Sequence, residues 1–374
     1  MGKNIKSSLI LCGPLGPQQY PHVSYLKEQA YRIIGVDDDP NAVCNHLCDY
    51  VLNSGFKNLA KAKRSVLKII GKNEKYLFSI GIISDIATEF FLALDLHFGI
   101  KNTLKPELVF NKKNLMNSIS MVVSRHASTR KSKTNCQVFV AKPCKGSGSK
   151  DIIFSDEKLE IEWDLIKNDP NFFISKYIKG SEYSVDGYIY QGNIEFLLSF
   201  RTIEFRRTAK SIHTVLNHEL SGQIKRYLRK IFQALQINDT VFHIELIIDS
   251  RKKIHLIDVG FRLGGYNVGS EYFSKATGIN LFKVQLAIKE QSQTLPQISK
   301  TKPTAIFMFR LKDKFTGIFR ENINTKNIEN VSFFFETNSA TKDYAVKNDS
   351  ARTGYAICEF DTWKSLTMAI SNNK

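Results

Sequence analysis

The chain has 374 residues, 43 % of them hydrophobic, and carries 53 Lys and Arg against 36 Asp and Glu, a formal net charge of +17. That length exceeds one ordinary domain and predicts roughly two or three, with no apolar run long enough to span a bilayer and an N-terminal apolar stretch too short for a secretory leader. Six cysteines (Cys12, Cys44, Cys48, Cys136, Cys144, Cys358) lack framework spacing, which points to free thiols in a reducing, cytoplasmic setting.

The positive charge is compatible with nucleic acid, an anionic surface or an acidic substrate. Its residues are spread along the whole length, with no aromatic–basic stripe and no nucleic-acid module. Nucleotide phosphates and an acidic co-substrate therefore rank above nucleic acid, and no membrane partner is expected. "CNHLC" at Cys44, His46 and Cys48 has the residue types of a zinc site, but no second pair of matching spacing accompanies it.

The first hundred residues alternate strand and helix. "SSLILCG" is a strand ending in the loop "GPLGPQQ", "HVSYLKEQA" a helix, and "YRIIGVDDDP" a strand with acids at its carboxyl end. "KYLFSIG" and "IATEFFLALDLHFGI" give a further strand and helix. This pattern predicts an open parallel α/β sheet with ligands at the strand carboxyl ends. Gly13 and Gly16 lack a third glycine at the offset of a dinucleotide fingerprint.

From about residue 106 the pattern changes. Leu115, Met116, Ile119, Val122 and Val123 recur at helical spacing. "CQVFVAKPCKGSGSKDIIF" follows, a strand, a loop holding Gly146, Ser147, Gly148 and Ser149, and a second strand. Open backbone N–H groups in such a loop can close over phosphates, with Lys142 at its base as a point charge; the bland alternative is a solvated lysine at a strand end. The spacing is not that of a P-loop. Three more strands run through "NFFISKYIKGSEYSVDGYIYQGNIEFLLSFRT", with Glu182 opening one of them. Arg201, Arg206 and Arg207 form a basic cluster that is either an acid-binding patch or a solvated loop. Residues 215 to 236 read as an amphipathic helix.

"VFHIELIIDSRKKIHLIDVGFRLGG" then reads as a hairpin turning at "SRKK". It carries Glu245 and Asp258 toward one point, an arrangement suited to magnesium, which takes oxygen ligands and holds substrate phosphates. A solvated rim is the bland alternative. Arg262 follows, with Gly264 and Gly265 allowing close backbone approach. His243 alternates onto the face of Glu245, as a structural histidine or a site residue. "YFSKATGINLFKVQLAIK" is a helix, and the chain returns to strands after Pro303.

This order of parts resembles the ATP-grasp superfamily, carboxylate–amine ligase type, near the biotin-carboxylase-like and D-alanine–D-alanine-ligase-like branches and stand-alone amino-acid ligases. The resemblance implies an α/β and α+β molecule. It would comprise a pre-ATP-grasp domain (1–105), a lid (106–180), a large ATP-grasp subdomain (181–300) and a C-terminal β-rich extension (301–374). It implies ATP and Mg2+ as cofactors, with small carboxylate and amine substrates joined through an acyl phosphate. Lys112, rather than Lys113, resembles the lysine opening the lid, and Lys142 the one contacting the α- and β-phosphates. Gly146 to Ser149 resemble the triphosphate loop. Ser175, Lys176, Tyr177 and Ile178 fall on the adenine-side segment, and Glu182 resembles the acid on the ribose. Glu245 and Asp258 resemble the metal carboxylates, and Arg262 the arginine steadying the intermediate. Arg201, His243, Gly264 and Gly265 are further substrate-side candidates.

Three positions depart from the family pattern: Ser175 stands where Glu is usual, Gly260 where Asn is usual, and Asp258 is shorter than the usual Glu. These departures motivate a second reading, a degenerate ATP-grasp protein that binds nucleotide or an acidic partner without ligation. Asn267 is a candidate to supply the missing oxygen.

Overall fold

The computed structural model describes residues 8–56, 58–70, 75–106, 110–120, 138–145, 151–155, 160–205, 209–215, 220–265, 267–309, 328–335 and 354–371. Four parallel strands open the chain: β1 (Ser8–Gly13), β2 (Arg32–Asp37), β3 (Tyr50–Asn53) and β4 (Lys75–Gly81), in the order β3-β2-β1-β4. Near-continuous apolar runs suit strands buried on both faces, and Leu9, Ile10, Leu11, Ile33 and Ile34 are fully buried. The acid at the end of β2 is structural: Asp37 accepts the Leu15 N–H at 2.7 Å and so fixes the loop after β1. Helices Tyr20–Glu28, Leu59–Ile69 and Asp85–His97 complete this layer.

A three-stranded antiparallel sheet of β5 (Phe139–Pro143), β6 (Ile153–Phe154) and β7 (Phe172–Lys176) comes next, in the order β6-β5-β7. Helix Lys112–Ile119 precedes it, with its start tied to the end of β5 by the Lys112 N–H donating to Cys144 O at 2.8 Å.

The largest sheet has eight antiparallel strands. They are β8 (Gly180–Tyr190), β9 (Asn193–Phe205), β10 (Ala209–Val215), β11 (Thr240–Asp249), β12 (Ile254–Gly260), β13 (Thr304–Phe309), β14 (Ile328–Phe335) and β15 (Gly354–Phe360). Their order is β12-β11-β8-β9-β10-β13-β15-β14, so the β-rich C-terminal segment extends the sheet begun by β8. The expected helix over 215–236 runs from Ser221 to Leu235. Val215 belongs instead to β10, paired with Ser199 of β9.

Alternation along β11 separates two environments. Phe242, Ile244, Leu246 and Ile248 are buried on one face, in a cluster with Ile224, Leu228, Ile231 and Phe232 of the Ser221–Leu235 helix. His243 and Glu245 point to the other face, as the period of two requires. Among the described residues no helix is long and apolar enough to cross a membrane.

Candidate functional site

Strand register gathers one polar face across neighbouring strands. Glu245 of β11 stands opposite Asp258 of β12 on one side and Ser184 of β8 on the other. Glu182 of β8 stands opposite Arg201 of β9. Cross-strand partners share a face, and opposed like charges destabilise a sheet unless cations offset them. Here cations do. Arg201 Nη1 lies 2.7 Å from Oε1 of Glu245 and 3.8 Å from Oε2 of Glu182. Lys112 Nζ pairs with Oδ2 of Asp258, while Lys113 is exposed. Lys142 Nζ donates to Ile257 O at 3.2 Å.

The electrostatics follow from burial and these neighbours. Burial pushes the Glu245 carboxyl up, but Arg201 and His243 outweigh it and hold it well below the usual carboxylate range. Burial raises Glu182, and Arg201 only partly offsets this. Burial lowers Lys142, against the pull of Asp258. Lys112 loses to burial but gains more from Asp258 and ends raised.

Two residues that sequence reading missed complete the face. Asp186, 1 % exposed on β8, accepts from His243 Nδ1 at 2.8 Å, and Nε2 of the same ring stands 3.7 Å from Glu245. Despite burial, these acids lift His243 to about 9. Asp85, in the first turn of the Asp85–His97 helix, holds Arg262 in a fork, with Nε to Oδ1 at 2.6 Å and Nη2 to Oδ2 at 3.1 Å. The signal for Asp186 was an acid in the middle of a strand, four residues after Glu182 and so on the same face. Asp85 follows the helix cap Ser84 and looks like an ordinary first-turn acid.

Gly264 has a definite role: a Cβ there would stand 2.5 Å from Oδ1 of Asp186 and 3.0 Å from His243 Nδ1. Around Gly265 there is open space. Asn267 is buried, with its Oδ1 accepting from Ser270 and its Nδ2 donating to Tyr355. On β7, Ser175 faces Val140 and Lys176 faces Phe139 of β5. The Tyr177 N–H is bonded to Val138 O at 2.9 Å, and Ile178 follows it, partly buried. Gly146, Ser147, Gly148, Ser149, Arg206 and Arg207 lie outside the described residues. No group of three or more His, Cys, Asp or Glu that could hold a metal occurs among the described residues, which includes the Cys44–Cys48 stretch. Two carboxylates are what a magnesium ion shared with phosphates uses.

Residues 137–270 match the family model of the ATP-grasp domain. That stretch has the fold of an ATP-grasp domain. Solved structures match the fold over nearly the whole length of the chain. L-amino acid ligase from Bacillus licheniformis superposes with a TM-score of 0.75 at 14 % identity, covering 98 % of this chain and 96 % of that one. N5-carboxyaminoimidazole synthetase from Staphylococcus aureus gives 0.69 at 13 %, covering 98 % and 97 %. Phosphoribosylglycinamide synthetase from Anaerococcus prevotii gives 0.66 at 16 %, covering 98 % of each. No curated protein matches the sequence. At these identities the likeness establishes the fold, with its parallel first sheet and antiparallel later ones.

Proposed function

We propose that the protein is an ATP- and magnesium-dependent ligase. It would activate a small carboxylate, such as an amino acid, as an acyl phosphate and couple it to an amine, releasing ADP and phosphate. The observation that carries this reading is the Glu245–Asp258 pair, set in register on an ATP-grasp sheet and ringed by Lys112, Lys142, Arg201 and Arg262.

Phosphoryl transfer asks a protein for positioning and charge neutralisation more than for covalent help. Lys112 and Lys142 suit phosphate oxygens. Glu245, kept ionised, and Asp258 suit magnesium, which when bound neutralises phosphate charge; Lys112 would then exchange its carboxylate partner for phosphate. Arg262, fixed by Asp85, suits charge developing on the acyl group. Glu182, paired with Arg201 beside the carboxylates, would take the ribose hydroxyls. Arg201 Nε and Asp186 Oδ2 are both buried with no hydrogen-bond partner among the described residues, a donor and an acceptor left over beside the carboxylates. Gly260 brings no side-chain oxygen, so this reading assigns two protein carboxylates to the metal.

The test is release of ADP and phosphate from magnesium-ATP with pooled amino acids and small acids, followed by mass spectrometry. The expected product has the mass of donor plus acceptor minus water. Lys142→Ala and Glu245→Ala are each expected to abolish turnover in a protein that keeps its circular dichroism. Full activity in both would sink the proposal. Nucleotide binding without any carboxylate- and amine-dependent turnover would favour the non-ligating alternative.

A further inference from the structure

A cavity of about 570 Å3 lies between the parallel N-terminal layer and the eight-stranded sheet. Its walls are Ser79 and Gly81 of β4, the Asp85–His97 helix, residues 100–104, the β8–β9 turn, the start of β11, and the Leu281–Lys289 helix with Gln291 just beyond it. None of the carboxylates, lysines or arginines of the site described above lines it. Its size falls in the range of small-molecule sites, and its lining is mixed, with polar side chains at least as numerous as apolar ones.

The apolar wall is Phe91, Leu92, Leu104, Phe261 and Ile288. The polar groups are of both signs. Asp239 is partly buried, with Oδ1 accepting the Gln191 N–H at 3.1 Å. Lys101 is exposed and has no ion-pair partner among the described residues. Lys289 is already paired, at 2.9 Å, with the fully buried Asp95. Gln285 is 8 % exposed, and among the described residues its Oε1 has no hydrogen-bond partner; the Thr103 hydroxyl is likewise buried without one among them. A buried amide oxygen left unpaired is costly, and a ligand carrying an N–H donor would relieve it after a small side-chain rotation.

We propose that this cavity is a second ligand site for a small zwitterion with an apolar body. An ammonium group would meet Asp239 and Gln285, a carboxylate would meet Lys101, and an aliphatic or aromatic group would lie on Phe91, Leu104 and Phe261. A free apolar amino acid and a dipeptide share this chemistry, and the volume admits either. The occupant would also touch Phe261, next to Arg262, and Thr88, one helical turn from Asp85. Filling the cavity thus bears on the Arg262–Asp85 fork from behind, whatever reaction that site performs.

Isothermal titration of the full chain with L-phenylalanine and with L-leucyl-L-leucine tests this. Saturable binding of at least one probe is expected, and the preferred probe tells free amino acid from dipeptide. Gln285→Met and Asp239→Asn should each weaken it about tenfold or more, as for hydrogen bonds to a charged group. Gln285→Met should do so without lowering thermal stability, since it removes an unpaired carbonyl and keeps the volume. Arg201→Met should leave the binding in place. Absence of binding by both probes overturns the proposal. So does binding unchanged in Gln285→Met and Asp239→Asn, or binding lost in Arg201→Met, which would put the ligand among the carboxylates instead.

Discussion

Gly264 shows how one missing side chain shapes the site. Asp186 and His243 meet in the space its Cβ would fill. That contact and the one to Glu245 keep His243 protonated, with its pKa raised to about 9 in spite of burial, and the imidazolium in turn helps hold Glu245 ionised. Gly264→Ala is therefore expected to part the pair and lower ATP turnover about 10- to 100-fold, the scale set by a displacement of about 1 Å in a catalytic constellation. Turnover beside an unchanged circular dichroism spectrum checks it; unaltered turnover would remove the His243–Asp186 pair from the mechanism. Glu245, Asp258 and Lys142 were legible in the sequence because hairpin alternation and a Lys-Pro before a glycine loop are local patterns. Asp85 was not. Its partner Arg262 lies 177 residues away, and nothing near Asp85 distinguishes it from a helix-start acid. The hydrogen bonds of Asn267 were hidden for a similar reason, since its partner Tyr355 stands 88 residues on.

At the scale of elements, the sheet holds its charged face steady because its other face is anchored. Leu228 is fully buried on the Ser221–Leu235 helix, within the cluster that takes in Phe242, Ile244 and Leu246 of β11. Leu228→Ala should cost about 2–5 kcal/mol, lost transfer energy plus a residual cavity, measured as a shift in the urea midpoint. A shift under about 0.5 kcal/mol would mean the helix is not a clamp on β11. The helix, the hairpin and the parallel first sheet were all readable, because each is set by a local period of 3.6 or 2 and by turn residues. The order β10-β13-β15-β14 was not. Joining the C-terminal strands to the sheet started by β8 is a choice among non-local pairings, and alternation along a strand does not name its neighbour.

At the scale of the whole molecule, stability depends on how the N-terminal layer docks on the eight-stranded sheet, and one titratable group sits in that joint. His22 of the Tyr20–Glu28 helix is 3 % exposed, with its ring 4.7 Å from that of Phe282 on the Leu281–Lys289 helix. Burial lowers its pKa from 6.5 to about 4. Between these values the unfolded chain binds a proton that the folded chain refuses, so the term favours unfolding increasingly as pH falls from 6.5 toward 4 and is absent above 6.5. At about 1.4 kcal/mol per pH unit, the wild type should lose about 2–3 kcal/mol between pH 7 and pH 4.5 through this residue alone. His22→Phe retains the ring contact and has no proton to take up. Urea unfolding of both proteins at the two pH values isolates the term, because every carboxylate contributes equally to each. The variant should lose about 2–3 kcal/mol less than the wild type. Equal losses would mean that the joint opens enough to hydrate His22 before it is charged, and that the layers separate more easily than their shared apolar cluster implies.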